Sequence, residues 1–345
     1  MPPAEGGGME INMSIIYLTE HGTELGISNG RFEIKKDEKI LCSIPSKTVE
    51  GITMLSKSQI TTQCVEFCLI NGIDIIYMSV GGTVYGKITS CNHSNAKRQR
   101  KQIEVCKETF CVALAKKTLA AKIYNQYIVL RRYEKSKNIK KSLESKMLFI
   151  CYKKIKTAKT LNKIMGYEGS AAKYYFQGLS NCIDKQFVFK GRSRRPARDE
   201  FNMLLNIGYH LLLGIIINCI EHKGLNPYAG YVHSDSKGHP ALASDMIEEW
   251  RAIIVDSTVM SLINRRELTK NHFEYDATGK VNTLTKEGFV IFLNKIENKL
   301  KSQNKYLSYI NRSIEFREAI WLQVNRLSKA IENENVDYYK AVCIR

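Results

Sequence analysis

The hydrophobic periodicity of this 345-residue chain changes once, abruptly, between Cys91 and Gln102. That change restricts the available folds more than any other feature. Before it, apolar and polar residues alternate over the short runs 15–18, 24–28, 31–35, 39–43 and 51–55. A period of two over such lengths predicts half-buried strands. Turn residues separate the runs: His21-Gly22, Asn29-Gly30 and Pro45. Asn29-Gly30 between two such runs predicts a hairpin. One helix is expected after Ser58, its candidate N-cap, with apolar or small residues at 60, 64, 67, 68 and 70, closing at Asn71-Gly72. Strands then return over 73–78 and 83–89 around Gly81-Gly82.

After the change, from the charged run Asn95-Ala-Lys-Arg-Gln-Arg-Lys-Gln to about Ala341, apolar residues recur at helical spacing. Expected helices cover 97–133, with Ile103, Cys106, Phe110, Ala113 and Leu114 on its apolar face, 143–157, 201–222, with Asp199 as its candidate cap, 241–266, 286–301 and 306–331. A single turn at 161–165 is expected to stop at Gly166, with a new helix opening at Tyr167. Residues 273–281, around Asp276 and Gly279, read as a turn segment. The predicted class is α+β: residues 1–12 a leader or added segment with Met13 a candidate start, 13–92 a β-rich domain, and 93–345 an all-helical domain. Two domains also suit the length.

Lys and Arg number 52 against 34 Asp and Glu, a net charge of +18. Such an excess favours a polyanionic partner, nucleic acid before an anionic membrane. The most apolar run, 211–220, is about half of what a bilayer span requires. The ten cysteines form no Cys-x-x-Cys pair. Cys64 and Cys68, four apart on a predicted helix, read as buried thiols, and no signal peptide opens the chain, so a reduced cytoplasm is expected. There is no P-loop, no Gly-x-Gly-x-x-Gly and no Gly-x-Ser-x-Gly nucleophile turn.

Chemistry concentrates in residues 224–251. A turn-rich run (Gly224, Asn226, Pro227, Gly230) leads to His233, and a polar loop precedes a helix expected from Ala241. Asp245 and Glu248, three apart, share one face of that helix, while Glu249 points about a quarter turn away. A loop histidine beside two such carboxylates suits a hard divalent ion, manganese or magnesium, better than zinc. The ordinary alternatives are a surface or capping histidine and a solvated helix face. Glu168, expected in the first turn of a helix, reads on its own as compensation of the helix dipole. His210 and His239 read as packed or surface histidines. Lys190, Arg192, Arg194, Arg195 and Arg198 crowd a Gly/Ser/Pro-containing loop. That loop is either solvated or a phosphate clamp, since closely spaced guanidiniums grip phosphate oxygens in pairs.

Four stretches, taken in this order and spacing, resemble the CRISPR-associated adaptation integrases, the Cas-one family. They are Met165-Gly-Tyr-Glu-Gly-Ser-Ala-Ala-Lys-Tyr-Tyr-Phe, Asp199-Glu-Phe-Asn-Met-Leu-Leu-Asn-Ile-Gly-Tyr, Gly224-Leu-Asn-Pro-Tyr-Ala-Gly-Tyr-Val-His and Leu242-Ala-Ser-Asp-Met-Ile-Glu-Glu-Trp-Arg. Glu200 stands where the family commonly has proline. The resemblance implies metal ligands at Glu168, His233 and Glu248, with Asp245 in the same catalytic site and Mg2+ or Mn2+ as cofactor. It implies an N-terminal domain used for homodimerisation and a Cas-two partner bridging two dimers, with a Cas-four-type nuclease as a further candidate partner. The implied activity is metal-dependent joining of the 3′-OH ends of short DNA fragments to the CRISPR repeat. DNA would then be held by the basic segments, including Lys97, Arg98, Arg100, Arg192, Arg194 and Arg195. A stand-alone metal-dependent nuclease, a transposon-borne relative and a non-catalytic DNA-binding scaffold are the competing readings.

Overall fold

The computed structural model describes residues 14–79, 81, 83–193 and 197–344. Two compact units divide at Asn92/His93.

Among the described residues, the first unit holds eight strands and one α-helix: β1 (Ser14–Leu18), β2 (Glu24–Ser28), β3 (Arg31–Lys36), β4 (Lys39–Pro45), β5 (Val49–Met54), β6 (Gln59–Ile60), α1 (Thr62–Asn71), β7 (Asp74–Met78) and β8 (Val84–Ile88). One sheet runs β1-β5-β7-β8, parallel except for the last pair; the other runs β4-β3-β2-β6. Asn29 and Gly30 both adopt positive φ, which closes the β2–β3 hairpin as the sequence predicts. Thr61, not Ser58, caps α1 by accepting from Cys64 N–H, and Gly72 ends it in the left-handed region. Leu25 and Phe32 from one sheet, Ile52 and Ile75 from the other, and the thiols of Cys64 and Cys68 share a core. All ten cysteines are free thiols.

The second unit is mostly helical: α2 (Ala96–Glu104), α3 (Glu108–Ser136), α4 (Leu143–Thr157), α5 (Leu161–Ser180), α6 (Glu200–His222), α7 (Ala241–Trp250), α8 (Ser257–Asn264), α9 (Lys286–Lys301) and α10 (Phe316–Glu332). It departs from the all-helical expectation in two places. Residues expected to be a turn form the hairpin β9 (Phe273–Tyr275) and β10 (Val281–Leu284). The pair β11 (Gln303–Asn304) and β12 (Ile314–Glu315) brackets the start of the expected last helix, which begins only at Phe316.

Three helix boundaries also differ. The predicted helix over 97–133 breaks at Val105–Lys107, and Ile103, expected in its core, is 62% exposed. The helix after α7 begins with a π-helical stretch, Arg251–Asp256. Gly166 does not stop a helix: α5 runs through it, capped by Thr160, whose hydroxyl accepts from Lys163 N–H. A mid-helix glycine costs about 1 kcal/mol, and the buried face of α5 (Ile164, Ala171, Tyr175, Leu179) outweighs that. Glu168 therefore sits in the second turn or later, where a dipole role lapses.

Asp199 caps α6 as expected, accepting from Asn202 N–H at 2.7 Å. The apolar run 211–220 is part of this 23-residue helix, which by length and composition could cross a membrane. Its Phe201, Leu204, Leu205, Ile216 and Ile220 are buried inside the unit, so α6 is a core helix here. Glu200, in the place of the family's proline, accepts a 2.8 Å hydrogen bond from the Tyr275 hydroxyl of the unforeseen hairpin.

Candidate active site

Helix α7 is buried at every residue, and its carboxylates face different surroundings. Asp245 turns toward the preceding loop. Its Oδ2 accepts from Tyr231 N–H (2.6 Å) and Val232 N–H (3.0 Å), and its Oδ1 from His233 N–H (2.9 Å). The same Oδ1 lies 2.7 Å from His233 Nδ1. A carboxylate can only accept, so Nδ1 donates in this contact, and in the neutral tautomer that it selects Nε2 is the nitrogen with the lone pair. Gly230 permits this loop: a Cβ there would lie 2.8 Å from Ala241 Cβ and 3.1 Å from Asp245 Oδ2.

Glu248, one turn on, faces cations. Lys122 Nζ of α3 is 2.5 Å from its Oε2, and Arg251 Nη1 is 3.1 Å from its Oε1. The same ammonium pairs with Glu168 Oε1 of α5. The three side chains are 8%, 3% and 17% exposed for Lys122, Glu248 and Glu168. Burial alone would raise the Glu248 carboxyl, but Arg251 and Lys122 outweigh it and hold it down at about 2. Burial opposes the charge on Lys122 too, yet Glu248 and Glu168 leave its ammonium more firmly protonated than an ordinary lysine.

The neighbouring Glu249 goes elsewhere. It accepts from the Tyr339 hydroxyl (2.6 Å), Val342 N–H (2.9 Å) and Gln323 Nε2 (3.1 Å), tying down the C-terminal segment. Burial outweighs these three donors and raises its carboxyl to about 8.

Lys122, Glu168 and Arg251 line a cleft of about 1220 Å³, together with Lys173, Arg192, Tyr209, His210 and His239. The Arg192 guanidinium donates to Asn202 Oδ1 (2.9 Å) and Asn206 Oδ1 (2.7 Å). Arg192 and Arg251 lie 5.3 and 4.9 Å from the Tyr209 ring centre. The Tyr209 hydroxyl donates to Asp256 Oδ1 at 2.5 Å, and Tyr175 donates to Oδ2 at 2.9 Å. Burial foremost, with the Asp256 charge, drives the Tyr209 phenol well above its usual value.

The expected site residues thus separate into two groups. Glu168 and Glu248 converge on one cation, and His233 stands beside them on Asp245. Among the described residues, no three His, Cys, Asp or Glu side chains are already gathered as a metal cluster; an ammonium stands between the two carboxylates instead. The donor chemistry nonetheless fits a hard divalent ion. Glu248 Oε2 is buried and meets Lys122 without a well-directed hydrogen bond. His233 directs a free Nε2 away from a carboxylate-bound Nδ1–H, the arrangement of metal-ligating histidines.

Of the expected DNA contacts, Arg192 lines the cleft, while Arg194 and Arg195 fall outside the described residues. Arg98 is engaged internally, donating to Lys223 O (2.6 Å) and pairing with Glu332 (2.7 Å). Lys97 and Arg100 are exposed. Lys122, Arg251 and Tyr209 were not anticipated, and His239, expected at the surface, borders the cleft.

Residues 16–298 match the family model described as CRISPR associated protein Cas1. A Mycobacterium tuberculosis protein named CRISPR-associated endonuclease Cas1 is 30% identical over 318 residues, 92% of this chain and 94% of its own length. A solved casposase bound to integration product has a similar fold, with TM-score 0.82 at 22% identity, over 94% of this chain and 92% of that one. A chain from a Cas6-RT-Cas1–Cas2 complex gives TM-score 0.79 at 23% identity; it covers 98% of this chain, which spans only 37% of that longer one. The chain belongs to the Cas1 family of CRISPR-associated proteins.

Proposed function

We infer that the protein is a metal-dependent DNA strand-transfer enzyme of CRISPR adaptation, joining the 3′-OH ends of short foreign fragments to the CRISPR repeat. The observation that carries this reading is the pairing of Glu168 and Glu248 on one cation, beside an Asp245-oriented imidazole, at the wall of a basic cleft. Glu168, Glu248 and His233 Nε2 would hold Mg2+ or Mn2+. When bound, such an ion polarises the phosphodiester and stabilises the leaving oxygen of an in-line displacement.

The chain's own residues supply the rest. Asp245 fixes the imidazole tautomer and its direction. Arg251, Arg192 and Lys173 face the cleft, where cations would orient a phosphate backbone. The Tyr209 hydroxyl is committed to Asp256 and resists deprotonation, so it is a poor nucleophile. The bond to phosphorus forms directly with the fragment's 3′-oxygen as its hydroxyl proton is lost, while the bond to the repeat's own 3′-oxygen breaks and that oxygen takes up a proton to leave as a 3′-OH. One phosphodiester replaces another. Hydrolysis is the same displacement with water as nucleophile, which accords with the endonuclease name of the relative.

The β-rich unit is the proposed homodimerisation domain, and a Cas2 protein the proposed partner, the latter suggested by the complex whose fold is shared. The setting would be the prokaryotic cytoplasm.

The test is an integration assay with the purified protein and its Cas2 partner, a supercoiled repeat-bearing plasmid and a labelled 3′-OH fragment. Label should join the plasmid with Mn2+ or Mg2+, and not with EDTA, Glu168→Ala or His233→Ala. Joining that survives both substitutions refutes the site. Cleavage without joining makes the protein a nuclease, and binding with neither makes it a scaffold.

A further inference from the structure

Outside the cleft, α3 and α4 together present a small aromatic surface set with lysines. Tyr124 and Tyr127 lie three apart on α3, and Phe149 and Tyr152 three apart on α4. The rings meet across the helix pair: Tyr124–Tyr152 centroids are 5.2 Å apart and Tyr127–Phe149 5.3 Å. Along each helix the spacings are 6.5 and 5.9 Å. All four rings are only half-buried. The three tyrosine hydroxyls make no hydrogen bond to protein among the described residues, unlike Tyr175, Tyr209 and Tyr339. This group faces water instead of completing the core.

Exposed lysines overlie it. Lys141 Nζ lies 5.5 Å from the centres of both Tyr127 and Phe149, Lys153 5.0 Å from Phe149, and Lys156 4.1 Å from Tyr152. Lys154 sits 5.9 Å from Tyr167, the residue immediately before Glu168 on α5. No carboxylate pairs with these four ammonium groups among the described residues. The surface thus offers π-faces and unneutralised positive charge together, and it leads toward the helix that carries a site carboxylate.

We propose that this α3–α4 surface binds single-stranded nucleic acid, stacking unpaired bases on its rings and holding the intervening phosphates with its lysines. A base stacks on any aromatic face whatever its sequence, and lysines track the backbone. Ring separations of 5.2–6.5 Å exceed the rise of ~3.4 Å between stacked bases in a duplex strand, so only an extended, unstacked strand could use successive rings. A membrane would use the same residue types, but here three of the four rings (Tyr127, Phe149 and Tyr152) carry a lysine over them, and the exposed apolar residues of α4 are limited to Leu143 and Ile150. The inference rests on the DNA-joining reading for its purpose only; the binding itself needs no metal.

The test measures fluorescence anisotropy of the full chain in EDTA with a labelled oligo-dT 12-mer and a 12-base-pair duplex, across a salt series. F149L/Y152L keeps apolar bulk and removes two rings. It should lose at least ~10-fold affinity for the single strand and less than about two-fold for the duplex, with an unchanged salt slope. F149Y/Y152F, which keeps both rings, should bind as wild type. Neutralising Lys141, Lys153 and Lys156 together should weaken binding to both and reduce the single-strand salt slope by about 2. Single-strand affinity of F149L/Y152L within two-fold of wild type overturns the proposal, as does equal loss on duplex. Ring-dependent binding to anionic phosphatidylserine vesicles without ring-dependent binding to the 12-mer assigns the surface to a membrane and also overturns it. Because the measurement contains no metal, failure of strand joining leaves its outcome untouched.

Discussion

Replacing Lys122 by methionine tests whether its ammonium holds the place of a divalent ion. In the metal-free protein that group neutralises two carboxylates at once, and Glu248 is almost wholly buried. Removing one partner of a buried pair ordinarily costs about 3–5 kcal/mol, because a charge is left uncompensated. Two features pull the cost to the low end: Arg251 still reaches Glu248 Oε1 at 3.1 Å, and Glu168 keeps some contact with water. The Glu248 carboxyl gives an independent scale. Its fall from 4.5 to about 2 corresponds to ~3 kcal/mol at ~1.36 kcal/mol per pKa unit, although Arg251 shares in that figure. For a unit of this size, ~3 kcal/mol lowers the unfolding midpoint by about 6–12 °C. Lys122→Met should show that loss in EDTA at neutral pH by scanning calorimetry. Millimolar Mn2+ should then restore the variant more than it stabilises wild type, because no ammonium has to be displaced. Equal midpoints in EDTA, or an equal Mn2+ gain for both proteins, would refute the view of Lys122 as the resident cation.

The other site contacts carry their own expectations. Asp245→Asn leaves one acceptor oxygen and sets an NH2 donor against the N–H groups that the second oxygen now accepts from, which disturbs the orientation of His233 and should weaken Mn2+ binding about 10–100-fold by titration calorimetry; unchanged affinity would mean that His233 needs no carboxylate to orient it. Gly230→Ala forces a Cβ to 2.9 Å from the Ala241 carbonyl carbon. It should cost about 1–3 kcal/mol in stability and abolish strand joining, and a variant that joins normally would show that the His233 loop tolerates displacement. Asp256 is raised by burial to about 6, so the folded protein holds this proton more tightly than the unfolded chain. Its contribution to stability therefore declines as pH rises from about 4 to about 6, by up to ~3 kcal/mol. Asp256→Asn should lessen the slope of the midpoint-against-pH curve in that window, leaving the decline from about 4.5 to about 8 that belongs to Glu249; an unaltered slope would show that Asp256 does not titrate there.

Much of the fold is legible in the sequence because local chemistry and tertiary context agree. The Asn29-Gly30 hairpin, the Asp199 cap and the α4 and α9 boundaries (Leu143–Thr157 and Lys286–Lys301) follow from turn and cap residues. Misreadings fall where packing overrides local preference. Gly166 lies inside α5 because the buried face of that helix continues past it. The residues around Asp276 pair as a hairpin partly because Asp276 Oδ1 accepts from Thr278 and Lys280 N–H, a turn whose flanks were too short to read as strands. The break after α2 leaves no proline or glycine as a signal.

The site was legible in part for a different reason. Spacing alone puts Asp245 and Glu248 on one face of α7, but it cannot say what each carboxylate meets. Asp245 is consumed by three backbone N–H groups and an imidazole, which makes it a support for His233. Glu248 meets two cations and stays ionised. Glu249 meets only neutral donors in a dry interior, and its carboxyl rises accordingly. Three acids within five residues thus acquire three electrostatic states, and the difference comes from one near neighbour, Arg251, and from residues far away in sequence, Lys122 and Tyr339. Lys122 did leave a trace, as a single lysine within Leu119-Ala-Ala-Lys-Ile123 on a helix whose neighbouring positions are buried. A long cationic side chain is almost never fully buried unless it is paired, so that position implied a carboxylate opposite it. The sequence could not supply which one, because the answer is two, carried on different helices.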